Sequence, residues 1–391
     1  MREFEFYLPT RVLFGRGVVE NIGKETAKLG KSALIVTGQA SARKTGLLKR
    51  IEDSLKKSRV KTTLFEGVEA NPCLETIKRG TKLAKEKECE VIIGLGGGSS
   101  MDTAKGITVL ATNPAPLTNY LGRNKVKEAP LPIIAVPTTA GTGSEANPYA
   151  ALTNTDKAPP RKEILMDLSI FPKVALVDPE LTLSLPASVT ADTGIDAFSH
   201  ALESYLSNRS RPLSEALASE AIRLLVCYLP KVMKNLQDIN ARSYILYASL
   251  LAGMAIAQSG TILVHGMSYR LTTDLGLSHG KACAILLPVV SEFNLSQGHP
   301  KLISLSRCLG ESTEDLTTKE IVKKVITRIE NLIRELGLPQ NLKTRKVGKE
   351  LIAEFAQELM QNKPKLANNP RSVTLNDVIK MYQKALWGNS E

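Results

Sequence analysis

Apolar residues in the first half of the chain come as short unbroken runs separated by stretches of helical spacing. Ser32-Ala-Leu-Ile-Val-Thr37 is one such run and ends at Gly38. Glu90-Val-Ile-Ile-Gly-Leu95, Leu131-Pro-Ile-Ile-Ala-Val136 and Val174-Ala-Leu-Val177 are others. Runs without polar alternation mark strands buried on both faces, which belong to parallel sheets. Val60–Phe65 alternates like a further strand. Leu47–Lys56 and Pro72–Lys87 repeat apolar residues at helical intervals, with Leu74, Ile77 and Leu83 on one side. Strands alternating with helices predict a mostly parallel α/β sheet.

The pattern changes near Leu185-Pro186. From Ser188 onward no segment reads as a strand. Helices are predicted at Ala191–Leu206, Ser214–Tyr228 (ended by Pro230), Arg242–Ala257, Leu302–Cys308, Thr318–Leu336 and Val347–Met360. This implies an N-terminal Rossmann-like α/β domain over residues 1–185 and a C-terminal all-α domain over 186–391, a division ordinary for a chain of 391 residues. Between Arg242 and His265 no residue is charged, a length that could span a bilayer. Ser249, Gly253, Gln258, Ser259 and Gly260 interrupt it, so a buried helix followed by a turn is expected, and no membrane partner.

Composition narrows the class. Hydrophobic residues are 43% and charged residues 23%, which excludes a disordered or fibrous chain. The net charge of +12 raises the reading of a nucleic-acid or membrane-surface binder. The basic residues are scattered, as in Lys56-Lys57-Ser58-Arg59, and aromatics are only 5%, so a solvated basic surface is expected instead. Five cysteines without a CxxC pair fit a reduced, cytoplasmic compartment. Met1–Glu5 carries acids and lacks the apolar core of a signal peptide.

Three constellations carry candidate chemistry. In Gly94-Leu-Gly-Gly-Gly-Ser-Ser-Met-Asp-Thr-Ala-Lys105 a strand runs through Gly96, Gly97 and Gly98 into a helix beginning near Ser99. Glycines admit a close approach of backbone to a diphosphate, and a helix N-terminus favours the anion. Pro137-Thr-Thr-Ala-Gly-Thr-Gly-Ser-Glu145 offers hydroxyls and N–H groups at the next strand's end, where α/β sheets bind ligands. The third is a set of histidines. His200 follows Asp196 by four residues and so shares its helix face. His265 and His279 also sit among apolar or small residues, where an unpaired imidazole is costly. One aspartate and three histidines match a divalent transition metal, and imidazole suits iron and zinc alike. His299, in a polar loop, is set aside as a surface residue.

These motifs, with Gly194-Ile-Asp-Ala-Phe-Ser-His-Ala-Leu-Glu-Ser-Tyr205 and the Val264-His265 and His279-Gly280 pairs, resemble the iron-containing alcohol dehydrogenases over nearly the full length. The resemblance implies a dehydroquinate-synthase-like architecture and hydride transfer between a primary alcohol or diol, or its aldehyde or ketone, and NAD(P). It implies a small-molecule alcohol or aldehyde partner, no nucleic acid, and a homodimer. Asp196, His200, His265 and His279 correspond to ligands of Fe(2+), with Zn(2+) as the other ion. Gly96, Gly97, Gly98, Ser99 and Asp102 correspond to the nucleotide's phosphate and ribose region. Thr138, Thr139, Thr142 and Ser144 correspond to its second wall, and Lys162 to a ribose-contacting lysine. Many relatives carry a second histidine four residues after the one matching His265. Here Tyr269 stands there, leaving Tyr269, ribose hydroxyls or water to move the proton. NAD-preferring relatives place an aspartate where this chain has Gly38; with Ser41, Arg43 and Lys44 nearby, NADP is expected over NAD. A zinc glycerol dehydrogenase-like enzyme is the neighbouring alternative within the same architecture.

Overall fold

The computed structural model describes residues 3–343 and 347–388. Tyr7–Leu185 form one compact unit; the residues from Pro186 onward, with the segment preceding Tyr7, form another. The first unit contains β1 (Arg11–Phe14), β2 (Ser32–Gly38), β3 (Lys61–Val68), β4 (Val91–Gly96), β5 (Gly122–Arg123), β6 (Ile133–Pro137), β7 (Tyr149–Asn154), β8 (Arg161–Met166) and β9 (Val174–Val177). Its helices are α1 (Ile22–Ala27), α2 (Ser41–Lys44), α3 (Leu47–Lys57), α4 (Leu74–Glu86) and α5 (Gly98–Thr112).

Six strands form a parallel sheet in the order β1-β9-β6-β4-β2-β3. The unbroken apolar runs are explained by burial on both faces. Ala33, Ile35, Val91 and Ile93 pack with Leu48, Ile51 and Leu55 of α3. Leu34, Val36 and Ile92 turn the other way, onto Leu74 and Ile77 of α4 and Ala104 and Ile107 of α5. From β2 the chain adds β3 on one side and β4 on the other, so the winding reverses between β2 and β4. Ligands of such sheets bind at the strands' carboxyl ends beside that reversal.

Two features of this unit were not predicted. β1 is a short edge strand paired with β9, a partner far away in sequence. β7 and β8 run antiparallel, from Tyr149 opposite Met166 to Asn154 opposite Arg161, in a separate sheet ordered β5-β8-β7. Alanines in β7 and the charged start of β8 (Arg161-Lys-Glu163) are weak strand signals; tertiary pairing overrides them.

The second unit is helical, and no strand occurs in it among the described residues. It contains α6 (Ala187–Leu206), α7 (Pro212–Lys234), α8 (Ile239–Ser259), α9 (Leu263–Thr273) and α10 (His279–Leu295). Beyond these lie α11 (Leu302–Cys308), α12 (Thr318–Glu335), α13 (Lys349–Gln361), α14 (Lys363–Asn368) and α15 (Leu375–Trp387). Capping chemistry starts several of them. Asp238 accepts from the backbone of Asn240 and Ala241, and Thr317 with Glu320 and Thr374 with Asp377 form capping boxes.

The sequence placed the end of α7 before Pro230, but the helix runs on to Lys234. Leu225, Leu229 and Val232 are fully buried, and their packing outweighs the lost hydrogen bond of the proline. α9 and α10 were not anticipated as helices. Ala282, Cys283, Ala284, Ile285, Leu286 and Leu287 are all buried, and a helix apolar all round has no amphipathic period to detect. The uncharged stretch is α8 followed by a turn at Gly260, with α9 bent 107° from α8. Among the described residues no single helix is long and apolar enough to cross a membrane.

Candidate active site

Two groups of predicted residues assemble, one in each unit. In the first, Gly38, Gly96–Gly98 and Thr138–Thr142 follow the neighbouring parallel strands β2, β4 and β6, at the edge where the winding reverses. Thr138 N–H donates to Gly96 O at 2.9 Å. A Cβ on Gly98 would stand 2.6 Å from Thr142 Cγ2, so only glycine lets these loops close on each other. No side chain caps the start of α5, which leaves the N–H groups around Ser99 for an anion. Ser41 opens α2, just beyond Gly38.

Asp102 and Ser144 are bonded to each other and to neighbouring backbone. Asp102 accepts from Ser144 Oγ at 2.7 Å and from Ala151 N at 2.9 Å, so both carboxylate oxygens bind protein. Lys162, on β8, is close enough to act on Asp102 through its charge. Beneath them lies Lys105, fully buried. Its Nζ donates to Ser144 O and Oγ at 2.7 Å, to Asn147 O at 2.9 Å and to Tyr149 O at 2.7 Å. Burial pushes this ammonium down to about 8 against the pull of Asp102 and Glu145, and pushes Glu145 up to about 7. Lys105 therefore ties α5 to the end of the threonine loop and the segment that follows it, from Ser144 to Tyr149. The sequence motif contained it, but nothing in its spacing showed that its ammonium turns inward.

The second group is in the helical unit. α6 carries Asp196, His200 and Glu203 at intervals of four and three, hence on one face. His265 lies in the first turn of α9, and His279 begins α10. Asp196 Oδ1 stands 3.4 Å from His279 Nε2, 3.5 Å from His265 Nε2 and 3.9 Å from His200 Nδ1. Four donors at the ~2.1 Å bond length of a tetrahedral ion lie about 3.4 Å apart. Asp196 Oδ1 and His265 Nε2 make no hydrogen bond within the protein, and both residues are about 96% buried, at 4% exposure. Polar atoms so buried and so spaced fit a divalent cation at their centre. The His200 ring stacks on His265 at 4.3 Å, and Tyr269 lies over His279 at 6.3 Å.

Three residues supporting this cluster were not foreseen. Glu203 Oε2 pairs with His265 Nδ1, while Oε1 accepts from the N–H groups of Ile262, Val264 and His265 at 3.1, 2.7 and 3.3 Å. It fixes the imidazole's orientation and caps α9 with negative charge. Asp192, one turn before Asp196, accepts from Ser278 Oγ at 2.5 Å and Lys281 N at 2.9 Å, docking the start of α10. The contact is close: a Cβ on Gly280 would stand 1.9 Å from Asp192 O. Cys283, one turn after His279, is the third. A signal for the carboxylates existed, since Asp192, Asp196, His200 and Glu203 recur at helical spacing along a helix otherwise small and apolar.

The cluster's charges support one another. Burial raises the Asp196 carboxyl, but the imidazoles of His200, His279 and His265 outweigh it and hold it well below the usual carboxylate range. Burial alone would lower His265; Glu203 and Asp196 raise it instead.

Comparison with known proteins identifies the family. The model of the iron-containing alcohol dehydrogenases matches residues 9–179, and that of the family's C-terminal region matches residues 190–386. The chain belongs to the iron-containing alcohol dehydrogenase family. It is 34% identical to the NAD-dependent methanol dehydrogenase of Bacillus methanolicus, covering 97% of this chain and 99% of that one. It is 33% identical to the 1,3-propanediol dehydrogenase of Klebsiella pneumoniae, covering 98% and 99%. Among solved structures, an alcohol dehydrogenase from Oenococcus oeni superposes with a TM-score of 0.93 at 34% identity, covering 98% of this chain and all of that one. The family is one of metal-dependent oxidoreductases, so the chain is an enzyme of that type.

Replacing Glu203 with Gln should weaken metal binding by about 10- to 100-fold, read by competition with a chromophoric chelator, because His265 loses its anionic partner. Replacing Lys105 with Met should cost about 3 kcal/mol of stability in denaturant unfolding, since buried carboxylate and carbonyl partners lose their cation.

Proposed function

We propose that the enzyme transfers hydride reversibly between a primary alcohol or diol and a nicotinamide dinucleotide, with the cofactor held by residues 1–185 and the metal by residues 186–391. The convergence of three imidazoles on the buried Oδ1 of Asp196 carries the reading. In it Asp196, His265 and His279, with His200 beside them, hold the ion, and Glu203 fixes the tautomer of His265. When bound, iron supplies a Lewis acid that polarises the alcohol or carbonyl oxygen, and the nicotinamide carries the hydride. Gly96–Gly98 and the start of α5 receive the diphosphate, with Thr139 and Thr142 alongside. Tyr269, whose ring stacks near His279 at 6.3 Å, is the side chain in this reading that passes a proton to or from the oxygen.

Primary alcohols and diols are favoured as substrates by the similarity to enzymes named for methanol and 1,3-propanediol. For the cofactor, the finer reading is NADP over NAD. Gly38 brings no carboxylate to repel a 2′-phosphate, and an added Cβ would meet only Val68 O at 3.8 Å. Arg43, one of the candidate phosphate partners, is held by Glu66 through bonds of 3.2 and 3.0 Å. A 2′-phosphate has to win Arg43 from that carboxylate. The similar methanol dehydrogenase is named NAD-dependent.

His265→Ala should lower turnover by about a thousandfold or more, the loss of a Lewis acid worth several kcal/mol, while cofactor affinity by fluorescence titration stays within a few-fold. Full activity with no bound metal by elemental analysis would refute the metal assignment. The ratio of kcat/KM for NADP over NAD should exceed one in the wild type and fall by roughly tenfold in Gly38→Asp. A wild type that favours NAD by that margin would refute the NADP reading.

A further inference from the structure

Cys283 sits at the wall of the metal cluster, not in the apolar interior that buried cysteines usually share. It lies on α10 four residues after His279 and is fully buried, at 0% exposure. Its Sγ is 3.9 Å from His279 Nε2. Sγ and one donor atom each from Asp196, His265 and His279 all lie within 4.8 Å of one another. A sulfur and a nitrogen bound to one tetrahedral ion, at about 2.3 and 2.1 Å, stand about 3.6 Å apart. The polar atoms aimed at the same point, Asp196 Oδ1 and His265 Nε2, have no hydrogen bond of their own. His200 also borders the cluster, with Nδ1 3.9 Å from Asp196 Oδ1 and its ring against His265.

We propose that Cys283 is a direct donor to the ion, giving a coordination set of Asp196, His265, His279 and Cys283 that competes with the set containing His200. The proposal rests on the metal reading above. On binding, the thiol releases its proton to solvent as the metal–sulfur bond forms, so metal uptake frees one proton more than the carboxylate and imidazoles require. A thiolate is a soft ligand, and a site that can recruit one favours zinc and cobalt(II) over iron(II) more strongly than a site of oxygen and nitrogen alone. The chain thus carries within its iron-type framework a built-in bias toward a thiophilic metal.

Cobalt(II) added alone to the metal-stripped full-length protein tests this by absorption. The expected spectrum has visible d–d bands of a bound ion and a near-ultraviolet thiolate-to-cobalt charge-transfer band. In Cys283→Ser, a near-isosteric change, the d–d bands should remain and the charge-transfer band should vanish. Zinc-over-iron(II) preference in competition should fall by at least about tenfold, the scale on which lost ligand support weakens metal sites. Cys283→Ala, checked for a native far-ultraviolet circular dichroism spectrum, gives the same reading if serine perturbs the helix. Wild-type d–d bands without a charge-transfer band overturn the proposal and leave the metal site standing. A charge-transfer band that survives in Cys283→Ser assigns the sulfur to another cysteine and overturns it equally. No cobalt uptake at all refutes the metal reading itself.

Discussion

Glu203 is buried to 1% exposure, and a carboxylate in that position is tolerable only if its surroundings answer it. They do so with three backbone N–H groups from the start of α9 and the imidazole of His265. The same contacts decide where α9 begins, how sharply the chain turns after α8, and which nitrogen of His265 faces Asp196. Asp192 performs the corresponding service for α10, by receiving Ser278 and the Lys281 N–H. One face of α6 is thus a ruler of acidic groups against which two other helices are set, and the histidines meet because the ruler aligns them. The inward-facing Asp196 Oδ1 and His265 Nε2 make no hydrogen bond within the protein, which is the arrangement a divalent cation would satisfy.

The α/β unit follows the same principle with the opposite sign. Lys105 is a buried cation on α5 that gathers the carbonyls of Ser144, Asn147 and Tyr149, while Asp102 on the preceding turn takes the Ser144 hydroxyl. The glycines and threonines that line the strand ends contribute little rigidity by themselves. Their arrangement is inherited from a charged group one layer deeper, where low dielectric makes each satisfied hydrogen bond strong and each lost one expensive. In both units a buried charge on one helix fixes the candidate site residues of another segment.

Pattern alone determined a good deal of this protein. Four unbroken apolar runs gave buried parallel strands because burial on both faces leaves no room for polar alternation. After Val177 helical spacing dominated the pattern, and the described remainder is helical. Asp196 and His200 could be paired from their spacing, and the glycine and threonine loops could be assigned to strand ends, because these are local consequences of helix and strand geometry. Tertiary structure decided the rest. β1 beside β9, and the antiparallel β7 and β8, depend on partners that their own residues do not name. α9 and α10 escaped notice because helices buried on all sides lose the period that marks them. Glu203, Asp192, Lys105 and Cys283 acquire their roles from which atoms face them. Spacing along one helix could place them on a face, but only the packing of separate segments, set by burial of charge and by contacts as close as Gly280 against Asp192, could say what that face would meet.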